Sequence, residues 1–190
     1  MHFIKSVFLT FIYLVIAGCV PNSQKAEVRY SSKTYTVQNS FGKHKYKPEQ
    51  TYSLKTKDKK GRASYYGGKF NGRKTASCIV YDESQLLAAH TTAVLPSVAK
   101  ITRTDTGKHI HVILVDRGPF AKGRICDLSV SAAAALDGKK EGHIPIKIDI
   151  LPEHSRILAK HWKKYLHKRL PDSLFKHIHS AKGLKLYLAK

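Results

Sequence analysis

The feature that most constrains the fold is an apolar run that ends in an acidic turn. Residues 110–115 have the composition of a buried strand. The residues that follow are Asp116, Arg117, Gly118, Pro119 and Phe120. A carboxylate at the end of a buried strand is costly unless it is paired or used in chemistry. Because a Gly-Pro pair favours a turn, the sequence predicts Asp116 at a strand end.

Two further polar residues occur in similar settings. Asp127 lies inside the apolar segment 125–128, and His90 ends the small, apolar run 87–89. Two acids and a histidine at the edges of apolar sequence predict a cleft that contains all three. The residues alone leave a second interpretation open: Asp116 is a turn residue, and Asp127 caps a helix that begins near Ser129.

The centre of the chain is composed mostly of short strand-like segments. Residues 63–66, 99–103, 109–115 and 144–150 are strand-like, and the second and third flank a turn at 105–108 that is typical of a hairpin. Residues 84–90 are predicted to form a short helix, and the alanine-rich residues 129–136 a second one that stops at Gly138. Many short strands with few helices favour a small β-barrel.

Seven short motifs occur in order within residues 61–151. They are Ala63-Ser64-Tyr65-Tyr66-Gly67, Phe70-Asn71-Gly72-Arg73, Thr75-Ala76, Tyr81-Asp82, Leu87-Ala88-Ala89-His90-Thr91, Asp116-Arg117-Gly118-Pro119-Phe120 and Asp127-Leu128-Ser129. In this order and near this spacing they resemble the rare lipoprotein A family of bacterial envelope proteins. The resemblance implies a mainly β fold, a six-stranded double-psi β-barrel with short helices. It also implies a lytic transglycosylase that cleaves peptidoglycan glycan strands.

The resemblance assigns roles to the residues of the motifs. Asp116 is expected to act as the acid and base, with His90 and Asp127 in support. The residues expected to bind the sugar are Tyr65, Tyr66, Tyr81 and Arg117. For His90, a structural hydrogen bond inside the barrel is the alternative. No cofactor is expected, and no metal site, because no Cys/His cluster has ligand spacing.

One position departs from the family pattern. Family members often have Thr-Ala-Asn-Gly-Glu before the Tyr-Asp pair, and Ile79 stands here in place of that glutamate. Isoleucine neither binds a proton nor accepts a hydrogen bond, and Glu83 lies out of phase. A catalytically silent peptidoglycan-binding or division lipoprotein on the same fold therefore remains the alternative function.

The N-terminal residues are typical of an exported lipoprotein. Residues 1–18 combine Lys5 with a short apolar run, and the run ends in Ala17-Gly18-Cys19, which resembles a lipobox. Cys19 is expected to carry the lipid, although a plain secretory signal is the alternative. Val20 follows where a retention aspartate would stand, so the expected location is the cell envelope, anchored to the outer membrane and facing the periplasm.

The flanks of the central domain carry most of the charge. The chain has a net charge of +21, and residues 153–190 hold ten Lys/Arg against two Asp/Glu. Residues 19–60 are polar and basic, which predicts a flexible tether with at most a short strand at 35–37. For an exported protein, anionic lipid and wall polymers are the expected partners rather than nucleic acid. A merely solvated basic surface is the alternative.

The domains expected are thus a signal peptide (1–18), a tether (19–60), a barrel (61–152) and a basic helical extension (153–190). Apolar residues recur at helical spacing over 157–170, and a second amphipathic piece is expected at 173–178. Two interpretations stay open for this extension: a helix docked on the barrel, and a helix lying on a membrane surface.

The two cysteines other than Cys19 lie inside the motif segments. The family usually has no cysteine at either place, and a paired change is what a cross-link needs. We therefore expect either a disulfide between Cys78 and Cys126 or two independent buried thiols.

Overall fold

The computed structural model describes residues 29–31, 34–39, 42–46, 52–55 and 59–189. The predicted signal peptide and Cys19 lie outside these residues. Within the segment predicted to be a flexible tether, three strands form an antiparallel sheet: β1 (Arg29–Ser31), β2 (Thr34–Asn39) and β3 (Gly42–Tyr46). The short strand expected at 35–37 lies within β2, whose Thr-Tyr-Thr-Val run has high β-propensity, and β1 and β3 extend the strand structure beyond it.

Six strands form a closed barrel. They are β4 (Lys60–Tyr66), β5 (Leu87–His90), β6 (Ser97–Arg103), β7 (His109–Asp116), β8 (Arg124–Ser129) and β9 (Ile144–Ile150). The order around the barrel is β4-β8-β5-β7-β6-β9, and β9 closes it by pairing with β4. The β4–β8 and β5–β7 pairs are parallel, and the others are antiparallel. The predicted six-stranded barrel and its β6–β7 hairpin are confirmed.

Residues 87–90 form strand β5, so the helix predicted over 84–90 is wrong. All four residues of β5 are buried, because the strand lies between β7 and β8. A short apolar run has no periodicity that distinguishes a buried strand from a helix.

Helix α1 (Val130–Ala135) was predicted in place, but its ends are set differently. Ser129 is the N-cap, and its side chain accepts a hydrogen bond from the Ala132 N–H. Asp127 therefore does not cap this helix. At the other end, Asp137 has a φ of 55°, and the Gly138 N–H donates to the Ala133 carbonyl at 2.8 Å.

The barrel interior and the outer face hold two separate apolar clusters. The interior cluster includes Leu114, Cys126 and Leu128. Leu54 also joins it and Tyr52 is buried, so packing begins upstream of the boundary predicted at residue 61.

The C-terminal extension consists of short helices that cover the outer face. They are α2 (Pro152–His161), a 3-10 turn (Trp162–Tyr165), α3 (Asp172–Phe175) and α4 (Ala181–Leu188). Leu158, Trp162 and Leu184 pack there in one cluster with Ile113 and Val115 of β7. The apolar face of the extension is thus docked on the barrel, as one of the two interpretations predicts. No helix within the described ranges is long and apolar enough to cross a membrane.

Candidate active site

Asp116 ends strand β7 and is held by two backbone groups. Its Oδ1 accepts hydrogen bonds from the Ala76 N–H and from the Arg117 N–H, both at 2.8 Å. Burial raises the pKa of this carboxyl above its ordinary value, although the two backbone bonds and the Arg117 charge act in the opposite direction. The result is a carboxyl that keeps its proton to higher pH than an exposed aspartate does.

The register of the barrel brings Asp116 and Asp127 to the same place. Ala89 of β5 pairs with Asp116 on one side and with Asp127 on the other. Two strand spacings separate the acids, which puts their Cα atoms about 10 Å apart. A Cβ on Gly118 would lie 3.6 Å from the Asp127 Oδ2, and its φ of 137° suits glycine. The Gly-Pro turn therefore closes back on Asp127, and the two acids lie on either side of Ala89 in β5.

Asp127 is oriented by two side chains that the sequence analysis missed. The Ser64 hydroxyl donates to the Asp127 Oδ1 at 2.5 Å, and Arg124 Nη1 donates to the Ser64 Oγ at 2.7 Å. Arg124 Nε also lies 3.8 Å from Asp127 Oδ1. Arg124 stands three residues before Asp127, and Ser64 pairs with Asp127 across β4 and β8. Only the strand pairing, which the sequence does not give, connects Ser64 to the site.

His90 organises a loop rather than facing a substrate. Its side chain is fully buried, and Nδ1 accepts hydrogen bonds from the N–H groups of Thr92 (3.2 Å) and Ala93 (3.1 Å). Arg117 Nη1 donates to the carbonyls of His90 (3.2 Å) and Ala93 (2.8 Å). His90 therefore supports the site through Arg117, which matches the structural alternative. Arg117 itself uses Nη1 to hold this loop beside Asp116.

The predicted sugar-binding tyrosines occupy three different settings. Tyr66 and Tyr81 stack with ring centroids 4.4 Å apart, and the Tyr81 hydroxyl donates to the Tyr66 carbonyl at 2.6 Å. Tyr81 is only 2% exposed, so it supports Tyr66 and does not form a sugar platform. Burial, with the nearby Asp116 charge, raises the pKa of Tyr66 well above its ordinary value. Strand alternation places Tyr65 on the face opposite Tyr66.

Two exposed aromatic side chains near the cleft were not predicted as site residues. Phe70 packs edge-on against Tyr66, with centroids 5.9 Å apart, and is 40% exposed. Phe120 follows the Gly-Pro turn and is 66% exposed. Exposed rings beside a carboxyl are the usual stacking surface for sugars, and both lie in motifs that the sequence analysis had singled out.

Ile79 lies outside the cleft. It is fully buried in the cluster between the barrel and the extension, together with Trp162. The segment around it is attached to the extension by three hydrogen bonds. They run from Trp162 Nε1 to the Ser77 carbonyl (3.0 Å), from the His167 N–H to the Cys78 carbonyl (2.6 Å) and from the Val80 N–H to the Lys168 carbonyl (2.9 Å).

Of the two alternatives left open for these cysteines, the disulfide is not formed, because Cys78 and Cys126 are not bonded to each other. Cys126 points into the barrel interior and is fully buried, whereas Cys78 lies in the outer segment held by the extension. In the described residues, no group of three or more His, Cys, Asp or Glu side chains is arranged to hold a metal ion.

Comparison with known proteins adds an independent line of support. A family model described as lytic transglycolase matches residues 58–148. The endolytic peptidoglycan transglycosylase RlpA of Rickettsia bellii is 34% identical over 179 residues, which covers 85% of this chain and 78% of that protein. The RlpA proteins of Neisseria meningitidis serogroup A and Vibrio cholerae are each 43% identical. These matches cover 53% and 48% of this chain, and 42% and 35% of those proteins.

The barrel, its paired acids and the family match define a double-psi β-barrel of the lytic transglycosylase class. More narrowly, the chain belongs to the RlpA family of endolytic peptidoglycan transglycosylases. A match over 85% of the chain is too long to be confined to the barrel and the N-terminal flank, so the similarity to the Rickettsia bellii protein reaches into the extension.

Proposed function

We propose that this protein is a lytic transglycosylase that cleaves the glycan strands of peptidoglycan and leaves 1,6-anhydro-muramyl ends. The observation that carries the proposal is Asp116, a half-buried carboxyl with a raised pKa at a strand end beside Asp127. Family membership supports the same reaction.

The reaction needs one group that serves first as an acid and then as a base. Protonated Asp116 gives its proton to the glycosidic oxygen as the bond to C1 breaks. The resulting carboxylate then takes the proton from the 6-hydroxyl of the same muramyl residue. That oxygen attacks C1 and closes the 1,6-anhydro ring, so Asp116 ends as it began and water is not consumed.

The surroundings of Asp116 suit both halves of this cycle. Burial favours the neutral acid at the start, and the Ala76 and Arg117 N–H groups stabilise the carboxylate once it forms. We assign to Asp127, which accepts a hydrogen bond from Ser64, the role of orienting a sugar hydroxyl or stabilising positive charge that develops at C1.

The catalytically silent alternative depends on the missing carboxylate at Ile79. Ile79 is buried in the cluster between the barrel and the extension, and with this isoleucine in place Asp116 still accepts the Ala76 and Arg117 N–H bonds. The lytic reaction is therefore the better proposal.

We place the protein in the cell envelope, where it acts in wall remodelling or septation. The proposed anchor is a lipid on Cys19, with the outer membrane as its location, and the support for both is the lipobox-like sequence. A contact with anionic lipid would use exposed basic side chains of the extension, such as Lys160 and Lys185, because the apolar face is docked on the barrel. Nucleic acid is not proposed as a partner.

Digestion of purified sacculi by the full chain tests the activity directly. Mass analysis should find muropeptides with 1,6-anhydro ends that increase with time and enzyme concentration. Binding to sacculi without any such product would support the silent alternative. Products with ordinary reducing ends would instead indicate hydrolysis and would refute the proposed reaction.

A further inference from the structure

A cationic cavity adjoins the Asp127 side of the cleft. Its volume is about 310 Å³. The residues that line it are Arg62, Ala121, Lys122, Gly123, Arg124 and His143. Two arginines, a lysine and a histidine therefore face one space, and no carboxylate is among the lining residues.

The positions of the two arginines concentrate this charge. Arg62 on β4 and Arg124 on β8 are register partners on neighbouring parallel strands. Like charges directly opposite each other on adjacent strands repel and destabilise the sheet. Among the described residues, the side chains of Arg62, Lys122 and His143 form no ion pair that offsets this repulsion. An anion bound in the cavity would offset this repulsion.

Arg124 connects the cavity to the acids of the cleft. Its Nη1 is engaged by Ser64, which in turn holds Asp127. Its Nε is buried and, within the part of the chain that the structure describes, has no hydrogen-bond partner. The same Nε lies 3.8 Å from the Asp127 Oδ1, so the guanidinium that lines the cavity also faces the acid.

We propose that this cavity is a subsite for a carboxylate carried by the glycan strand. The inference rests on the proposed function, because the chemistry of peptidoglycan supplies the ligand. A muramyl residue carries a lactyl carboxyl group, which is a free carboxylate when the stem peptide is absent. When the peptide is attached, that group is an amide and the carboxylates belong to the peptide. Arginine guanidinium groups bind either carboxylate through paired N–H donors.

Binding of labelled glycan strands, measured by fluorescence anisotropy, tests the subsite. The full chain is used with Asp116→Asn, so that the strands stay intact. The variant Arg62→Gln/Lys122→Gln removes two exposed charges that lie outside the catalytic machinery. The matched control, Lys182→Gln/Lys185→Gln, removes two exposed charges from α4 that do not line the cavity. Each protein is measured on peptide-free strands, peptide-bearing strands and strands whose carboxyls have been converted to amides.

We expect Arg62→Gln/Lys122→Gln to raise the Kd about tenfold on one of the two carboxylate-bearing substrates, which identifies the source of the carboxylate. The control variant should change that Kd less than twofold. The chain with an intact cavity should bind amide-converted strands about tenfold more weakly than the strands that carry the recognised carboxylate. On amide-converted strands, the cavity variant and the control variant should have equal Kd values.

Equal loss of affinity in the cavity variant and the control would overturn the subsite, since general charge would then explain binding. An unchanged Kd in the cavity variant would overturn it as well. Because binding is measured without turnover, these results test the subsite independently of the proposed reaction. The proposed reaction is refuted separately, by an absence of anhydro products from sacculi.

Discussion

At the scale of single residues, Asp116 is tuned by opposing effects. Burial favours its neutral form, whereas the N–H groups of Ala76 and Arg117 favour the carboxylate. The group must exist in both forms during one catalytic cycle, so neither effect should dominate. The Ala76 N–H belongs to the segment 75–80, which is hydrogen-bonded to the C-terminal extension. The hydrogen bonding of Asp116 is therefore connected to the extension.

Ile79 provides a residue-scale prediction. Ile79→Glu, which restores the residue type common in the family, should lower the free energy of unfolding by about 3 kcal/mol or more, because it buries a charge in an apolar cluster. Thermal unfolding should show a melting temperature lower by about 10 °C. Ile79→Val, which keeps the apolar character, should cost about 1 kcal/mol. Higher lytic activity at unchanged stability in Ile79→Glu would contradict the placement of this side chain.

Single residues divide into those that the sequence predicted and those that it did not. Asp116 and Asp127 stand out because carboxylates in apolar segments are costly, and the barrel brings them together. Tyr81 was predicted to bind the sugar, but it is buried and stacked on Tyr66. Which face a residue occupies depends on strand register and bulges, and local sequence does not encode either of them.

At the scale of elements, the C-terminal extension is hydrogen-bonded to the segment 75–80, and this segment is hydrogen-bonded to Asp116. Trp162 Nε1 donates to the Ser77 carbonyl, and the Ser77 N–H donates to the Val115 carbonyl at 3.0 Å. The neighbouring Ala76 N–H reaches Asp116. Gln85 Nε2 adds a further connection by donating to the Leu170 carbonyl at 2.7 Å. We infer that the 3-10 turn after α2 positions the acid through this segment.

Trp162→Phe tests that connection because it keeps an aromatic ring but removes the Nε1–H donor. In the intact protein, the hydrogen bond from the Ala76 N–H lowers the pKa of Asp116. Loss of the Trp162 bond loosens the segment and weakens this hydrogen bond. The pKa should therefore rise, and since the acid must be protonated, the fall of activity at high pH should move to higher pH. The pH profile of anhydro-product formation measures this shift.

Tyr165→Phe is the matched control for Trp162→Phe. Tyr165 lies in the same 3-10 turn and the same apolar cluster, and its hydroxyl forms no hydrogen bond within the described residues. Its pH profile should stay in place. An unshifted profile in Trp162→Phe, or an equal shift in Tyr165→Phe, would mean that the extension contributes stability alone.

Elements were predicted with uneven success for physical reasons. The β6–β7 hairpin follows from its alternation and its turn residues, and α1 follows from its alanines. Strand β5 was missed because a four-residue strand buried on both faces carries no alternation. The helical spacing at 157–170 correctly indicated an apolar face, but the helix and the 3-10 turn end at Tyr165.

At the scale of the whole molecule, the barrel and the extension share an apolar cluster. Side chains from β5, β6 and β7 meet those of α2, α3 and α4 on the outer face of the barrel. The sequence predicted the barrel through the family motifs. It left open whether the extension would dock, since an amphipathic helix suits a barrel face and a membrane equally well. The apolar residues that β5 and β7 turn outward favour docking.

The central claim is that Asp116 is the acid and base of a lytic transglycosylase. Asp116→Asn keeps an Oδ1 that accepts the same two N–H bonds, so the variant should fold. The raised pKa means that ionisation costs folding stability as pH rises through it, so at neutral pH the melting temperature should equal or exceed that of the unsubstituted chain.

The most direct measurement is the rate of anhydro-muropeptide release from sacculi by Asp116→Asn and by the unsubstituted chain at equal concentration. General acid–base catalysis of this kind contributes about 10²- to 10⁴-fold, so we predict a loss of about 10³-fold in the variant. A folded Asp116→Asn protein that releases anhydro products within tenfold of the unsubstituted rate would contradict the assignment.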